Sequence, residues 1–190
     1  LYKTWGPHLG AMTVKRELRE KMTNQSHFFN DGKARNMLTP AGPDHAQIAS
    51  AAGIADYMDA LYEHHFVEQA DSAERARKLH QLFSEHEKTL LRPLLDFLKT
   101  RDDVRIIGPD NAEVRAATVA FLPLKKTVAE VVATLGEQKL MVGSGDFYSV
   151  RPLKELSIAL DPGVVRLSFV HYTTIDEIVQ LIAGLKKALA

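Results

Sequence analysis

The sequence predicts an α/β fold whose second part is of the α+β kind: long helices, then a mainly antiparallel sheet covered by helices. Three observations lead there. Apolar residues recur at helical spacing between Asp44 and Thr100. From Val104 onward, short β-branched and aromatic runs alternate with amphipathic segments. The helical segments also carry start signals, Asp71 with Glu74, Thr127 with Glu130 and Thr174 with Glu177, in the spacing of a capping box. The 190 residues suffice to bury a core, and 45% hydrophobic against 25% charged residues is an ordinary globular balance.

In chain order, Gly6-Pro7-His8-Leu9-Gly10 is turn chemistry. Residues 11–14 are short and apolar enough for a strand, and residues 16–22 for one or two helical turns. Residues 23–40 form a long polar loop, a length that points to function, mobility or an interface. Asp44 is placed to N-cap a helix carrying Ile48, Ala52, Ala55, Met58, Ala60 and Leu61, whose small residues suit close packing. A second helix from Asp71 runs through Leu79, Leu82, Phe83, Leu90 and Leu91; Pro93 is expected to kink or restart it before Leu94, Leu95 and Leu98.

Residues 104–107 and 117–122 read as strands, followed by a helix from Thr127 that Gly136 should stop. Residues 140–142 read as a short strand and Gly143-Ser144-Gly145-Asp146 as a tight turn. Residues 152–160 form a short helix ended by Asp161-Pro162-Gly163, residues 164–170 a strand, and Thr174 opens the last amphipathic helix. The expected sheet has helices packed on one face.

Composition narrows the chemistry. Twenty-four basic against 24 acidic residues offer no electrostatic case for nucleic acid or an anionic membrane surface. With no cysteine, the chain holds no disulfide, cysteine zinc site, iron–sulfur ligand or thiolate nucleophile. No apolar run approaches the roughly 20 residues of a membrane span, and no signal peptide is visible, so a cytoplasmic protein is expected. The opening Leu1-Tyr2-Lys3 reads as though cut from inside a longer polypeptide. Among the eight histidines, Glu63-His64-His65 and the pair His80 and His86 fit no zinc spacing, so no metal is expected.

Two residues stand out. Lys3, beside an aromatic and just before a Gly-Pro turn, has rigid backbone near it and could serve as a Schiff-base amine; without further context it reads as solvated surface. Arg166 lies in a strand whose alternation puts Val165, Leu167 and Phe169 on one face. That leaves the guanidinium with Val164, Ser168 and Val170, an apolar setting in which an arginine holds a carboxylate, from the protein or from a ligand. Gly143-Ser144-Gly145 could cradle an anion through backbone N–H groups but lacks the P-loop ending, and a plain turn accounts for it as well.

Together these motifs resemble the C-terminal part of a class V (fold type I) pyridoxal-phosphate enzyme, the family of aminotransferases, cysteine desulfurases and selenocysteine lyases. Tyr2-Lys3-Thr4-Trp5-Gly6-Pro7-His8-Leu9-Gly10-Ala11 resembles the segment where the cofactor lysine precedes an aromatic-Gly-Pro-x-x-Gly turn. Ala41-Gly42-Pro43-Asp44-His45 resembles the Gly-Thr-Pro turn beside the cofactor phosphate of the partner subunit, here without its threonine. Val165-Arg166-Leu167-Ser168, followed by His171-Tyr172-Thr173-Thr174 and Asp176-Glu177, resembles the strand-to-last-helix signature in which arginine binds the substrate α-carboxylate.

The resemblance implies that residues 1–70 are the tail of the large cofactor domain and residues 71–190 the small C-terminal domain. It implies pyridoxal 5'-phosphate as cofactor, an amino acid as substrate and a homodimer. Lys3 would be cofactor lysine and catalytic base, Gly42 and His45 cofactor-binding residues, and Arg166 the substrate-binding residue. The desulfurases place a persulfide-forming cysteine before the arginine strand, where residues 145–149 here offer Tyr148. Transamination is therefore the leading reaction. A desulfurase- or selenocysteine lyase-like protein without that cysteine, or a non-catalytic α/β interaction module, remains the alternative. The acid facing the pyridine nitrogen and most phosphate ligands lie upstream of the lysine in this family, so the chain alone is expected neither to bind the cofactor tightly nor to catalyse.

Overall fold

Val119, Phe121, Val165 and Leu167 point from one face of an antiparallel sheet into a core that helices close. They belong to a computed structural model that describes residues 1–39 and 42–190. Pro40, the end of the expected loop, and Ala41, the first residue of the Ala41-Gly42-Pro43 turn, lie outside the described residues. The chain divides into two units, Leu1–Leu79 and His80–Ala190.

In the first unit, a 3-10 turn at Tyr2–Thr4 is followed by helix α1 (Arg16–Arg19), a 3-10 turn at Phe28–Asn30, α2 (His45–Ser50), α3 (Ala52–His65) and the first turns of α4 (Ser72–Lys99). The strand expected at residues 11–14 does not form: the segment has no partner strand, and an unpaired strand leaves its backbone donors to water. Asp44 caps α2 as expected, accepting a hydrogen bond from the Gln47 N–H at 3.0 Å, but the helix breaks at Ala51 before α3 resumes. Side chains organise the polar loop. Buried Asn30 donates to Ser26 Oγ at 2.9 Å and accepts from Asn36 Nδ2 at 3.2 Å. Tyr62 is buried, donates its hydroxyl to the Glu68 carbonyl at 3.0 Å, and lies under the Arg75 guanidinium, which pairs with Asp59 at 3.0 Å.

The second unit contains the rest of α4, then β1 (Val104–Ile107), β2 (Thr118–Pro123), α5 (Val128–Glu137), β3 (Gly143–Gly145), α6 (Val150–Glu155), β4 (Val164–Ser168) and α7 (Ile175–Ala188). The sheet order is β1-β2-β4-β3 with every neighbouring pair antiparallel. The mixed helix and antiparallel-sheet architecture expected from the sequence is therefore present. Leu90, Leu91, Leu94, Leu95 and Leu98 of α4 join Val131 and Leu135 of α5 and Ile178 and Leu185 of α7 over one face of the sheet. Capping boxes at Thr127–Glu130 and Thr174–Glu177 close in both directions. At Asp71 only half of the box forms, because the Glu74 carboxylate turns to the Arg77 guanidinium.

Three expectations change. Helix α4 does not restart at Pro93 but runs on through it, since leucines on both sides are buried and their packing outweighs one missing backbone bond. The opposite sheet face is not bare: Leu153 of α6, Ile158 and Val164 form a second small cluster there with Ile107, Ala120 and Phe147. The edge strand is Gly143–Gly145 itself rather than residues 140–142, so the glycine segment is a strand and not a turn. The chain entering β4 comes close to this edge strand. A Cβ on Gly163 would lie 2.2 Å from the backbone of Gly145, an approach only glycine permits. Among the described residues, no helix is long and apolar enough to cross a membrane.

Candidate active site

Strand β4 fixes the position of Arg166. Its neighbours Val165 and Leu167 anchor in the core, so alternation turns Arg166 to the opposite face. The cross-strand partners of Arg166 are Ala120 on β2 and Gly143 on β3, both small, which leaves space for a guanidinium. The Arg166 Cζ stands 3.8 Å from the centroid of the Phe147 ring. Its Nε is buried and has no hydrogen-bond partner, and among the described residues Arg166 is in no salt bridge.

A cavity of about 330 Å³ opens at this point. Arg166, Phe147, Asp146 and Ser149 line it over an apolar floor that includes Ile107, Ala120 and Leu153. Asp146, the carboxylate in the lining, accepts the Tyr148 N–H through Oδ1 at 3.0 Å and forms no salt bridge with Arg166. A half-buried guanidinium with an unsatisfied donor beside an open, largely apolar cavity suits a ligand carboxylate, whose two oxygens can take parallel N–H donors. Arg115 shares the buried, partnerless Nε but differs at its other nitrogens, which donate to the carbonyls of Pro109, Thr118 (2.9 Å) and Ile107 (3.4 Å), and burial holds it below the usual arginine range.

Lys3 lies in the first 3-10 turn with its side chain exposed, its Nζ 5.8 Å from the centroid of the Tyr2 ring, which itself stacks on His8. Gly42 adopts φ +67° and His45 is the first residue of α2; both are exposed. They line a second cavity, of about 250 Å³, with Asn30, Asn36, Thr39 and Pro43. The structure thus brings Gly42 and His45 to one cavity, which Lys3 does not line, while Arg166 belongs to the other unit. The His171-Tyr172-Thr173 segment acts as a connector: Thr173 Oγ1 accepts the Val170 N–H at 3.2 Å, and the Thr173 carbonyl accepts from His86 Nε2 at 2.8 Å. Phe147 was not apparent as a functional residue from the sequence. The signal was the glycine that ends up opposite Arg166, legible only once the register is known.

A family model described as aminotransferase class-V matches residues 68–181, and the chain belongs to that family. The chain is 25% identical over 194 residues to an aminotransferase-like protein of Gibberella zeae, a match covering 99% of this chain and 44% of that protein. It is 26% identical over 202 residues to a probable cysteine desulfurase of Mycobacterium leprae, covering 99% of this chain and 43% of the other. A cysteine desulfurase-like protein of Aspergillus flavus is 26% identical, covering 93% and 38%. The chain therefore spans under half the length of these curated relatives. Among solved structures, the Escherichia coli cysteine desulfurase shares the fold with a TM-score of 0.60 at 19% identity, over 80% of this chain and 32% of that one. The Thermococcus onnurineus cysteine desulfurase gives a TM-score of 0.50 at 26% identity, over 55% and 25%.

Class V aminotransferases and cysteine desulfurases are pyridoxal-phosphate enzymes. The residues present suit such a group. The Lys3 amine is exposed and in no salt bridge among the described residues, and the described lining of the cavity at Gly42 and His45 has no carboxylate to repel a phosphate.

Proposed function

We propose that this chain is the C-terminal part of a pyridoxal-phosphate enzyme that acts on an amino acid at its α-carbon, with transamination as the reaction. The observation carrying this reading is an arginine, Arg166, that lines a cavity and is in no salt bridge among the described residues, on a chain of the class-V family. Residues 1–70 are then the tail of the cofactor domain and residues 71–190 the small domain. When bound, the cofactor supplies an electron sink for charge developing at the α-carbon.

The residues of this chain supply the rest. Lys3 Nζ holds the cofactor and afterwards takes and returns the α-proton, which requires a neutral amine. Arg166 binds the α-carboxylate through edge N–H donors and so fixes which face of the α-carbon meets Lys3. Gly42 and His45 would hold the phosphate of the cofactor bound by a partner copy, in a homodimer; a cytoplasmic location belongs to the same reading. Sulfur transfer would need a thiolate, and this chain has none. A desulfurase- or selenocysteine lyase-like protein without the catalytic cysteine is the second reading, supported by relatives bearing desulfurase names.

The test uses the full-length polypeptide. Borohydride treatment of the cofactor-loaded protein is expected to leave a covalent label on the Lys3 peptide, lost in Lys3→Ala. Arg166→Ala should raise KM for the amino acid by about tenfold or more while the label remains. A label elsewhere, or an unchanged KM, overturns the assignment. With the 190-residue chain alone, micromolar pyridoxal phosphate should give no stoichiometric label at Lys3; a full label would show that no further residues are needed.

A further inference from the structure

Phe147 has no part in the scheme above, yet several independent features fix where its ring lies. The ring centroid is 3.8 Å from Arg166 Cζ. The residue in register with Arg166 on the edge strand is Gly143, and a Cβ there would sit 3.1 and 3.2 Å from two atoms of the Phe147 ring. The ring thus fills the space that a side chain at residue 143 would take. Phe147 and Tyr148 both adopt left-handed backbone, φ +49° and +60°, which is uncommon for aromatic residues. Asp146 holds that turn, its carboxylate accepting the Tyr148 N–H and its carbonyl the Ser149 N–H at 2.8 Å. The turn sends Phe147 toward the sheet and leaves Tyr148 fully exposed.

We propose that Phe147 is a positioning residue for Arg166: its ring, seated on Gly143, holds the guanidinium flat so that its N–H edge stays available to a ligand carboxylate. The proposal rests on the reading of Arg166 as a carboxylate anchor. Its physics is a division of labour on one planar group. Stacking uses the face of the guanidinium, hydrogen bonding uses the edge, and the two do not compete. An arginine left free beside a cavity of about 330 Å³ would sample many rotamers and lose that freedom on binding. One already stacked has lost it beforehand, so the ligand binds more tightly with no new contact. The glycine at residue 143, which leaves the strand edge weaker than a β-branched residue would, gains a purpose in this way.

The experiment follows the Arg166 Nε–Hε resonance of the ¹⁵N-labelled chain, identified by its loss in Arg166→Lys, during titration with propionate; propionamide is the uncharged control. The wild type and Phe147→Tyr should show a ring-current-shifted resonance that moves saturably with propionate and not with propionamide. Phe147→Leu should lose the ring-current shift and bind propionate about three- to tenfold more weakly. Gly143→Ala, which alters neither partner but crowds the ring, should also move the resonance and weaken binding; it decides the matter in the same way if Phe147→Leu fails to fold.

Equal propionate affinity and an unchanged Arg166 resonance in Phe147→Leu and Gly143→Ala would overturn the positioning role while leaving Arg166 as an anchor. A resonance that responds to Phe147 but never to propionate, in any variant, would remove the anchor reading, and the purpose assigned to Phe147 with it.

Discussion

Asp103 is a carboxylate only 5% exposed, placed where α4 gives way to β1. Arg101 meets it with Nε donating to Oδ1 at 2.8 Å and Nη2 to Oδ2, and the same Nη2 reaches the Leu189 carbonyl at 2.9 Å beyond the end of α7. The Arg101 hydrogen bonds hold the Asp103 carboxyl below the usual carboxylate range, against the opposing effect of burial. A group that binds its proton less readily in the folded state than in the unfolded one stabilises the fold when ionised. That stabilisation is complete above the ordinary carboxylate range and is lost as pH falls through the lowered folded value. Asp103→Asn should therefore destabilise the chain at neutral pH by about 1–3 kcal/mol, with a cost that shrinks in acid. Denaturant unfolding at both pH values checks this, and a cost independent of pH would show that the ion pair is not its source. Nothing in the spacing of Arg101 and Asp103 announces the link to Leu189, because it joins residues 88 positions apart.

At the scale of elements, two kinds of stop and start signal differ in what they predict. The box at Thr174 satisfies donors reciprocally: Glu177 Oε2 accepts the Thr174 N–H at 2.7 Å, and Thr174 Oγ1 accepts the Glu177 N–H at 3.3 Å. Thr174→Ala should cost about 1 kcal/mol, with Thr174→Ser close to neutral. Gly163 is a harsher case. It combines φ +73° with a Cβ position 2.2 Å from the Gly145 backbone, so Gly163→Ala must push β3 away from β4. A loss above about 2 kcal/mol is expected, larger than that of the cap. Thermal melts of the three variants give the order directly, and a Gly163→Ala chain as stable as wild type would mean that the edge strand carries little of the fold. The caps were readable in the sequence because they are contacts across three residues. The close approach at Gly163 was not, because its partner lies on another strand.

Across the whole molecule, burial is uneven. Among the described residues, most fully buried side chains lie in His80–Ala190, and the buried apolar residues of Leu1–Leu79 are Tyr62 and Leu79. Amides protected from hydrogen exchange should therefore cluster in β2, β4, α5, α7 and the part of α4 around Leu90–Leu98, with residues 1–65 exchanging early. Phe121→Ala, at a fully buried position on β2, should cost about 3–5 kcal/mol and collapse that protection together. Mass-spectrometric exchange measures both, and strong protection within residues 1–65 would contradict the argument.

The sequence by itself determined the elements whose causes are local. Capping residues set the starts of α2, α5 and α7, β-branched and aromatic runs identified β1 and β2, and alternation within β4 turned Arg166 away from the core. The resemblance carried by Lys3, by Gly42 with His45 and by Arg166 placed the chain in its family before any coordinates. Tertiary structure alone decided the rest. It moved the edge strand onto Gly143–Gly145, left residues 11–14 unpaired, carried α4 through Pro93, covered the second sheet face and set the Phe147 ring on Arg166. Each of these depends on which distant segment lies alongside. Strand pairing and side-chain stacking are properties of two segments in register, and neither segment encodes them alone.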